Sequence, residues 1–287
     1  MAILTALETF ARWKAETTRG TNVSAGSFTS AGFVSGGSVD VNENVQLREG
    51  IAGQVQQRGG LIDPTASISL MVQSKTLILK AFRASYPAGA LPPFTFEAGN
   101  SGVGGDGYQL LGAVINTMGV NASVGDPLTI DLGFTAMEYK QEDRPAHVLL
   151  TGDVLEWYSG DVTIGGADYK ARSATVSLTN NDQREAVLNA PASGVALRRY
   201  DEFGIGPEEV SASYELLAPI AFAPVDTLPA LASVITFTKP SGDTGDAVTF
   251  TLSNLVRNSV GVPLDAGDSI YTQSLETIGK PESLVVT

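Results

Sequence analysis

The sequence predicts a mainly β fold of two tandem β-sandwich or barrel domains, each with a short flanking helix. Short runs of alternating apolar and polar residues recur along the chain, as expected for strands with one buried face. The 31 glycines and 14 prolines are spread over the whole length and leave little room for long helices. Residues 33–138 and 171–279 also share similar segments in the same order, which indicates two similar domains.

The internal repeat consists of paired segments in a common order. The pairs are 38–44 with 175–181, 65–71 with 211–217, and 114–137 with 250–275. A polar run at 139–145 separates the two copies and predicts a boundary there. The predicted organisation is an N-terminal segment at 1–32, a first β domain at 33–140, a linker at 141–153 and a second β domain at 154–287.

Individual strands are predicted where the alternation is strongest. These runs cover residues 67–72, 128–134, 173–178 and 247–252. A hairpin is predicted at 162–169, because Val162 and Ile164 precede the pair Gly165 and Gly166, and paired glycines favour a tight turn between strands.

Two helices are expected at comparable places in the two copies. Leu77, Ile78, Ala81 and Phe82 have the spacing of one helix face; Ser74 is a candidate cap, and Pro87 is expected to end the helix. A weaker candidate covers residues 227–234. One helix is therefore predicted beside each sheet.

Two long connections lie at matching positions between the first two strands of each predicted domain. They cover residues 48–63 and 198–209, and both combine glycine with charges of opposite sign. Long ordered loops in compact domains usually have a function. The favoured interpretation is a hairpin arm that docks on another subunit, and the alternative is a solvated loop. The predicted contact residues are Arg48, Glu49, Gln56, Arg58, Arg198, Arg199, Asp201 and Glu202.

The residue types argue against catalysis and against a bound cofactor. The chain has no cysteine, and His147 is its only histidine, so the usual zinc ligand sets and most nucleophile-base pairs are missing. The glycine-rich stretch at 99–107 lacks the Gly-Lys-Ser/Thr ending of a phosphate-binding loop. Asp243 and Asp246 do not match a twelve-residue calcium loop, and a polar turn is favoured there over a calcium site. We expect no enzyme activity, no cofactor and no structural metal.

The charge balance excludes another class of function. The formal net charge of −13 argues against nucleic-acid binding, because that binding depends on Lys and Arg neutralising phosphates.

No apolar run has the length of a membrane span, and no signal peptide is recognised at the start. We therefore expect a soluble protein that is made in a cytoplasm and has no membrane anchor.

Four segments together resemble a known family. They are W-K-A-E-T-T-R-G-T at 13–21, V-D-V-N-E-N-V-Q-L-R-E-G at 39–50, I-G-G-A-D-Y-K-A-R-S-A-T-V-S-L-T-N-N at 164–181 and G-V-P-L-D-A-G-D-S-I at 261–270. In this order, and with the doubled domain, they resemble the major tail tube protein of long, non-contractile-tailed bacteriophages. The second copy departs from the pattern by a longer proline-containing stretch at 219–229.

The resemblance implies a virion protein that assembles with itself. The family implies a β-sandwich with a flanking helix, whose inner sheet joins those of its neighbours to line a tube. Rings stack to form the tail, the genome passes through, and other tail proteins such as tape measure and terminator proteins bind the tube. With two copies per chain, a ring would need three chains for pseudo-sixfold symmetry. The acidic composition fits a lumen that repels DNA.

A second class of function stays open. A two-domain β-sandwich can also be a binding module, either a virion decoration protein or a carbohydrate-binding adhesin. Such a module needs exposed aromatic platforms, and the only tryptophans are Trp13 and Trp157. Packing in a core or an interface is the simpler expectation for both side chains.

Overall fold

The chain is almost entirely β in the part that the structure describes. The computed structural model describes residues 9–20, 28–44, 46–49, 55–58, 61–83, 90–100, 106–143, 152–185, 200, 202–217, 231–239, 247–261, 272–279 and 284–287. Helical structure in these ranges is limited to short 3₁₀ segments. The predicted mainly β fold is therefore confirmed.

The strands of the first half form what we call the first strand set. They are β1 (Thr9–Ala15), β2 (Thr29–Ser30), β3 (Phe33–Asn42), β4 (Gln46–Glu49), β5 (Val55–Arg58), β6 (Asp63–Met71), β7 (Phe94–Asn100), β8 (Asp106–Ser123), β9 (Thr129–Thr135) and β10 (Glu138–Asp143).

The strands of the second half form the second strand set. They are β11 (Gly160–Ile164), β12 (Ala167–Tyr169), β13 (Ala171–Thr179), β14 (Gln183–Glu185), β15 (Glu202–Gly204), β16 (Glu209–Leu216), β17 (Leu231–Phe237), β18 (Val248–Gly261), β19 (Gln273–Gly279) and β20 (Leu284–Val286).

The two strand sets have the same pairing order. In the first set the order is β2-β1-β7-β8-β9-β6-β3, and in the second it is β12-β11-β17-β18-β19-β16-β13. β10 adds to β8, and β20 adds to β18 in the corresponding way. The pairs β4-β5 and β14-β15 form separate two-stranded sheets. Among the described strands the main path stays open at both ends, so the barrel alternative does not apply there.

Irregularities in the ladders also occur at matching places. The register shifts between Val34 and Gly36 in β3-β6, and between Ala171 and Ser173 in β13-β16. The other bulges match as well, at 94/96 with 231/233 and at 115/117 with 257/259. Because a bulge changes the count of residues along a strand, these matches fix which residues of the two sets correspond.

The core is formed by alternate residues of the paired strands. In β9, Ile130, Leu132 and Phe134 are buried, and the residues between them are more exposed. The same period-two pattern occurs in β6, β13, β16, β17 and β19, whose inner faces join one hydrophobic cluster. Residues 94–97 of β7 and 109–115 of β8 are instead buried without alternation. The strands predicted at 67–72, 128–134, 173–178 and 247–252 are confirmed, with ends that differ by up to four residues, except that the last one continues to Gly261.

The predicted hairpin at 162–169 is confirmed. β11 pairs with β12 through Val162–Tyr169 and Ile164–Ala167, and the turn contains Gly165 and Gly166. These two glycines have φ angles of 61° and 83°. A two-residue turn with two positive φ angles suits the twist of a hairpin and favours glycine at both positions.

The first predicted helix is only a short 3₁₀ segment, Ile78–Ala81. Lys80 N donates to Leu77 O at 2.9 Å, which is the three-residue closure of a 3₁₀ helix. Leu77, Ile78 and Ala81 are buried and Phe82 is partly buried, so the predicted apolar face is correct although the helix is shorter. The segment begins after Leu77 without a side-chain cap, so the predicted cap at Ser74 is wrong. Pro87, its predicted end, lies outside the described residues.

The second predicted helix is wrong in its described part. Residues 231–234 belong to β17, which pairs with β11 and β18, and residues 227–230 lie outside the described ranges. The β-branched residues Val234, Ile235 and Thr236 favour a strand, and burial alternates along β17. The start of the predicted linker, 141–143, likewise lies in a strand, the end of β10.

Candidate assembly surfaces

Among the described strands, one strand pairing connects the two strand sets, and we call it the joint. Thr117–Ser123 of β8 pairs antiparallel with Ser173–Thr179 of β13. On its other edge the same part of β8 pairs with β9, and β13 pairs with β16. The result is one continuous antiparallel sheet in the order β3-β6-β9-β8-β13-β16-β19-β18.

Asn180, directly after β13, extends the joint with side-chain hydrogen bonds. It is fully buried, and its Nδ2 donates to Ala81 O at 2.9 Å and to Ile115 O at 3.0 Å. Its backbone N donates to Asn116 O at 2.8 Å. Asn116 Oδ1 in turn accepts from Asp182 N at 2.9 Å. Strand ends of the second set are thus held by polar groups of the first.

An ion pair lies beside these hydrogen bonds. Arg83 Nη2 lies 2.6 Å from Asp182 Oδ1 and also donates to Asn180 O at 2.6 Å. The side chain of Asp182 is 2% exposed. Burial raises the pKa of Asp182, while the hydrogen bond from Gly206 N and the charge of Arg83 act in the opposite direction. These two partners stabilise the ionised form of the carboxylate against the effect of burial.

The second hairpin is anchored on the first strand set as well. Arg184 of β14 forms an ion pair with Asp63, and its Nη1 donates to Pro64 O at 3.1 Å. Its guanidinium carbon lies 4.7 Å from the ring centroid of Tyr200. The base of this hairpin therefore rests on strand β6 of the other set.

The outer face of the continuous sheet is built from small polar residues. Its members on the central strands share the outward register and are Ser67, Ser69, Thr117, Gly119, Asn121, Asp131, Gly133, Ser173, Thr175, Ser177, Thr179, Ser211, Ser213 and Glu215. Short side chains of this kind leave a smooth, hydrated surface in place of an apolar one.

Carboxylates dominate the charge of this outer face. Asp40, Asp131 and Glu276 carry negative charge at positions spread from β3 to β19, and Glu215 forms an exposed ion pair with Arg172. Several of them are oriented by neighbours, since Asn121 Nδ2 donates to Asp131 Oδ2 at 2.9 Å and Ser259 Oγ donates to Glu276 Oε2 at 2.8 Å. The face is therefore mainly hydrophilic and acidic, with Ile278, opposite Ser211, exposed on it.

The predicted arms are hairpins in their described part. Arg48 and Glu49 lie in β4, opposite Gln56 and Val55 of β5, and Arg58 lies opposite Gln46.

In the second hairpin, Glu202 of β15 lies opposite Glu185 of β14. Arg198, Arg199 and Asp201 lie outside the described residues. The hairpin form of both connections agrees with the prediction, and the docking of these residues on a neighbour stays a prediction.

The two tryptophans have opposite surroundings. Trp13 is buried and packs edge-on against Phe94, with ring centroids 6.3 Å apart. Trp157 is 40% exposed and Tyr158 is 60% exposed, and their rings are nearly perpendicular at 5.9 Å. Both line a depression that includes Tyr169 and Arg172. Trp157 therefore lies at the surface and not in a core.

Chemical sites are not evident in the described ranges. No group of three or more His, Cys, Asp or Glu side chains there is placed to hold a metal ion. No helix among the described residues is long and apolar enough to cross a membrane.

The sequence did not identify the residues of the joint as functional. Asn180, Asp182 and Arg83 are common polar types without a motif, and Arg83 is 99 positions from Asp182. The available signal was the repeated ending of two strands, V-D-V-N-E-N at 39–44 and V-S-L-T-N-N at 176–181. Asn44 and Asn181 both adopt left-handed backbone, with φ angles of 44° and 52°.

Comparison with known proteins assigns the family. No curated protein matches the chain. A family model described as phage tail tube protein matches residues 7–278, which is nearly the whole chain. That match agrees with a β-rich fold and with the resemblance carried by the segments at 13–21, 39–50, 164–181 and 261–270. The chain belongs to the phage tail tube protein family.

Proposed function

We propose that this chain assembles with itself into rings that stack into the tail tube, the conduit for genome ejection. In the favoured arrangement three chains form each ring, so that two strand sets per chain give six similar units. The observation that supports this most is the joint, where one strand set continues the sheet of the other. Open sheet edges are normally covered or blunted, and a closed ring of subunits removes them.

We also interpret the two strand sets as a tandem duplication. The common pairing order and the matching bulges support two domains, at 33–140 and 154–287, with a linker at 141–153. β1 and β2 correspond in pairing to β11 and β12, which supports adding residues 9–30 to the first domain. A duplicated chain makes half of the ring contacts covalently, so fewer partners must be recruited.

The outer face of the continuous sheet is the proposed lining of the lumen. Its short side chains would leave the axis open to a duplex. Asp40, Asp131 and Glu276 would repel the phosphates, since adhesion to DNA depends on Lys and Arg. DNA would pass through without being bound. This assignment agrees with the net charge of −13.

The hairpin arms are the proposed contacts between stacked rings. β4-β5 and β14-β15 form sheets of their own beside the main sheet, as expected for elements that can contact a neighbour. Their mixed charges would steer association with the next ring. Rings at the tube ends would contact other tail proteins, such as the tape measure and terminator proteins. This role needs neither catalysis nor a cofactor, and the subunits would be made in the host cytoplasm before joining the virion.

Negative-stain electron microscopy of the purified protein tests the assembly. We expect annuli with a central hole, or tubes of stacked annuli. Compact single particles at all concentrations would contradict the proposal. A symmetry average of the annuli would reveal whether six similar units surround the hole.

The arms are tested by the double variant Arg198→Ala with Arg199→Ala. We expect fewer and shorter tubes with an unchanged circular dichroism spectrum, because surface charges contribute little to stability but steer association. Arg172→Ala is the matched control, since Arg172 is 52% exposed and lies outside the arms. Tubes of parental length from the double variant would refute the arm assignment.

A binding module is the second candidate function, and one observation favours it. The exposed Trp157 and Tyr158 could contact a ligand such as a sugar ring. Their nearly perpendicular rings, at 86°, do not form a flat platform. A glycan array with the protein and with Trp157→Ala would decide, because a module loses glycan binding in the variant and a tube protein binds no glycan in either form.

A further inference from the structure

The two ends of the continuous sheet differ from the strands that correspond to them. Within the described residues, β3 is paired on one edge only, with β6, and Ser259–Gly261 of β18 is paired on one edge only, with β19. The corresponding strands β13 and β8 are paired on both edges, and one of these edges is the joint between them. The two ends of the sheet thus correspond to the two strands that pair at the joint.

The apolar side chains of the same two strands are less buried than those of the corresponding strands. Val39 and Val41 of β3 are partly buried, whereas the corresponding Val176 and Leu178 of β13 are each 1% exposed. Val260 of β18 is also partly buried, and its counterpart Met118 in β8 is 2% exposed. A second joint, formed between these strands of two chains, would bury apolar side chains that are accessible in a single chain, which favours its formation.

The register of the second joint can be read from the first. The bulges align β3 with β13 through 34/36 and 171/173, and β8 with β18 through 115/117 and 257/259. In the joint, Thr117 lies opposite Thr179, Met118 opposite Leu178 and Gly119 opposite Ser177. The counterparts of these three pairs are Ser259 with Asn42, Val260 with Val41 and Gly261 with Asp40.

We infer that a second copy of this chain binds by pairing its β3 antiparallel to β18 of the first, in this register. The inference rests on the proposed self-assembly and adds the two strands and the residue pairs. Val41 and Val260 then meet on the core side, as Leu178 and Met118 do inside the chain. Asp40 stays on the acidic outer face, opposite the small Gly261. The contact is head to tail, so it continues until a ring closes.

Cysteine crosslinking tests the register, because the chain has no cysteine of its own. We assemble a mixture of the single variants Asn42→Cys and Ser259→Cys and then oxidise it. Opposite Cβ atoms in an antiparallel pair are about 5 Å apart, near the distance that a disulfide spans. In a random equimolar mixture each thiol meets its complement in about half of the head-to-tail contacts, so we expect up to about half of the two variants to shift into a disulfide-bonded two-chain species on a non-reducing gel.

Two matched controls accompany this experiment. Ser38→Cys in place of Asn42→Cys displaces the thiol by four residues, roughly 13 Å along the strand, and should abolish the crosslink. Thr117→Cys with Thr179→Cys in one chain places the corresponding pair at the joint and should give an intramolecular disulfide. Preferential crosslinking of Ser38→Cys with Ser259→Cys would overturn the register.

Hydrogen exchange on the unaltered protein gives an independent readout. We expect slower exchange at residues 36–42 and 259–261 in assembled rings than in dissociated chains, and little change at 173–179, which is already paired. Rings in the micrographs with unchanged exchange and no crosslink would overturn the inference and leave the proposed function standing. Absence of rings from the unaltered protein would overturn both.

Discussion

The two strand sets have the same ladders but fill their cores differently. In the first set Phe96 stacks on Phe134, with ring centroids 4.5 Å apart, and Phe94 packs edge-on against Phe134 at 5.8 Å. The positions corresponding to Phe96 and Phe134 are Ser233 and Thr277 in the second set. Both of these are buried polar residues.

Compensating changes keep the second core filled and its polar groups bonded. Tyr214 in the second set occupies the position that corresponds to Ile68 in the first. Its hydroxyl is hydrogen-bonded to the Ser233 hydroxyl. Thr277 Oγ1 donates to Ala212 O at 3.1 Å. The comparison teaches that alternation and bulge positions set the ladder, while the core residues can be redistributed between neighbouring strands.

Phe96→Ala is expected to have the largest effect on stability. The ring is fully buried, so its removal leaves a cavity, and such changes cost about 3–5 kcal/mol of unfolding free energy. Urea denaturation followed by tryptophan fluorescence measures the loss. Phe33→Ala is the matched control, because Phe33 is 53% exposed and its loss should change the midpoint little. Similar midpoints for both variants would show that the aromatic cluster does not dominate the first core.

Arg83→Ala is expected to weaken the connection between the two sets. It leaves the buried Asp182 carboxylate without its cation, which should cost about 2–3 kcal/mol, less than for a fully buried pair because Arg83 is 16% exposed. The matched control is Arg172→Ala, which breaks the exposed pair with Glu215 and should cost less than about 1 kcal/mol. Denaturation curves of both variants give the comparison. Equal losses would mean that burial at the joint is energetically unimportant.

Much of this architecture could be predicted from the sequence because strand faces are local features. The alternation at 128–134 fixed the buried face of β9, and the Gly165-Gly166 pair fixed the hairpin. The helix predicted at 227–234 is wrong in its described part, residues 231–234, because the pairing with β11 and β18 that makes them a strand is tertiary. A local sequence pattern does not reveal such strand partners.

The pairing at the joint was harder to predict from the sequence than the individual strands. Asn180 is fully buried because its amide bonds to carbonyls of Ala81 and Ile115, which are far away in the chain. An asparagine after a strand normally indicates only a turn. The repeat of this ending at Asn44 located the region but gave no sign that one copy would pair with the other.

Tyr214→Phe tests the compensation in the second core and should have a moderate effect. Burial raises the pKa of Tyr214 to about 12, so the hydroxyl stays protonated and bonded to Ser233. The variant leaves the Ser233 hydroxyl buried without this partner, at a cost of about 1–2 kcal/mol. Adding Ser233→Ala removes that hydroxyl and should restore part of the loss. A double variant as unstable as the sum of the single variants would refute the pairing.

The connection after β1, which contains Glu16, is a further difference between the two sets. A substitution of Glu16 is expected to change stability least. The chain leaves β1 at Glu16 and reaches β2 at Thr29, whereas β11 passes to β12 through two glycines. The Glu16 carboxylate is buried and accepts from Thr95 Oγ1 at 2.7 Å, Gly112 N at 2.9 Å and Gly20 N at 2.7 Å. Burial outweighs these donors and raises the pKa of Glu16 above its ordinary value of 4.5.

The raised pKa of Glu16 determines whether stability rises or falls with pH. Between pH 4.5 and the raised pKa, the folded protein binds more protons at Glu16 than the unfolded chain does. The contribution of Glu16 to the unfolding free energy is therefore fully present below pH 4.5 and is lost as the pH rises through the raised pKa. In Glu16→Gln the side chain stays neutral at every pH. The unaltered protein should therefore lose unfolding free energy relative to this variant as the pH rises. A difference that is independent of pH, measured by urea denaturation from pH 4 to pH 7, would mean that the hydrogen bonds of Glu16 fully offset its burial.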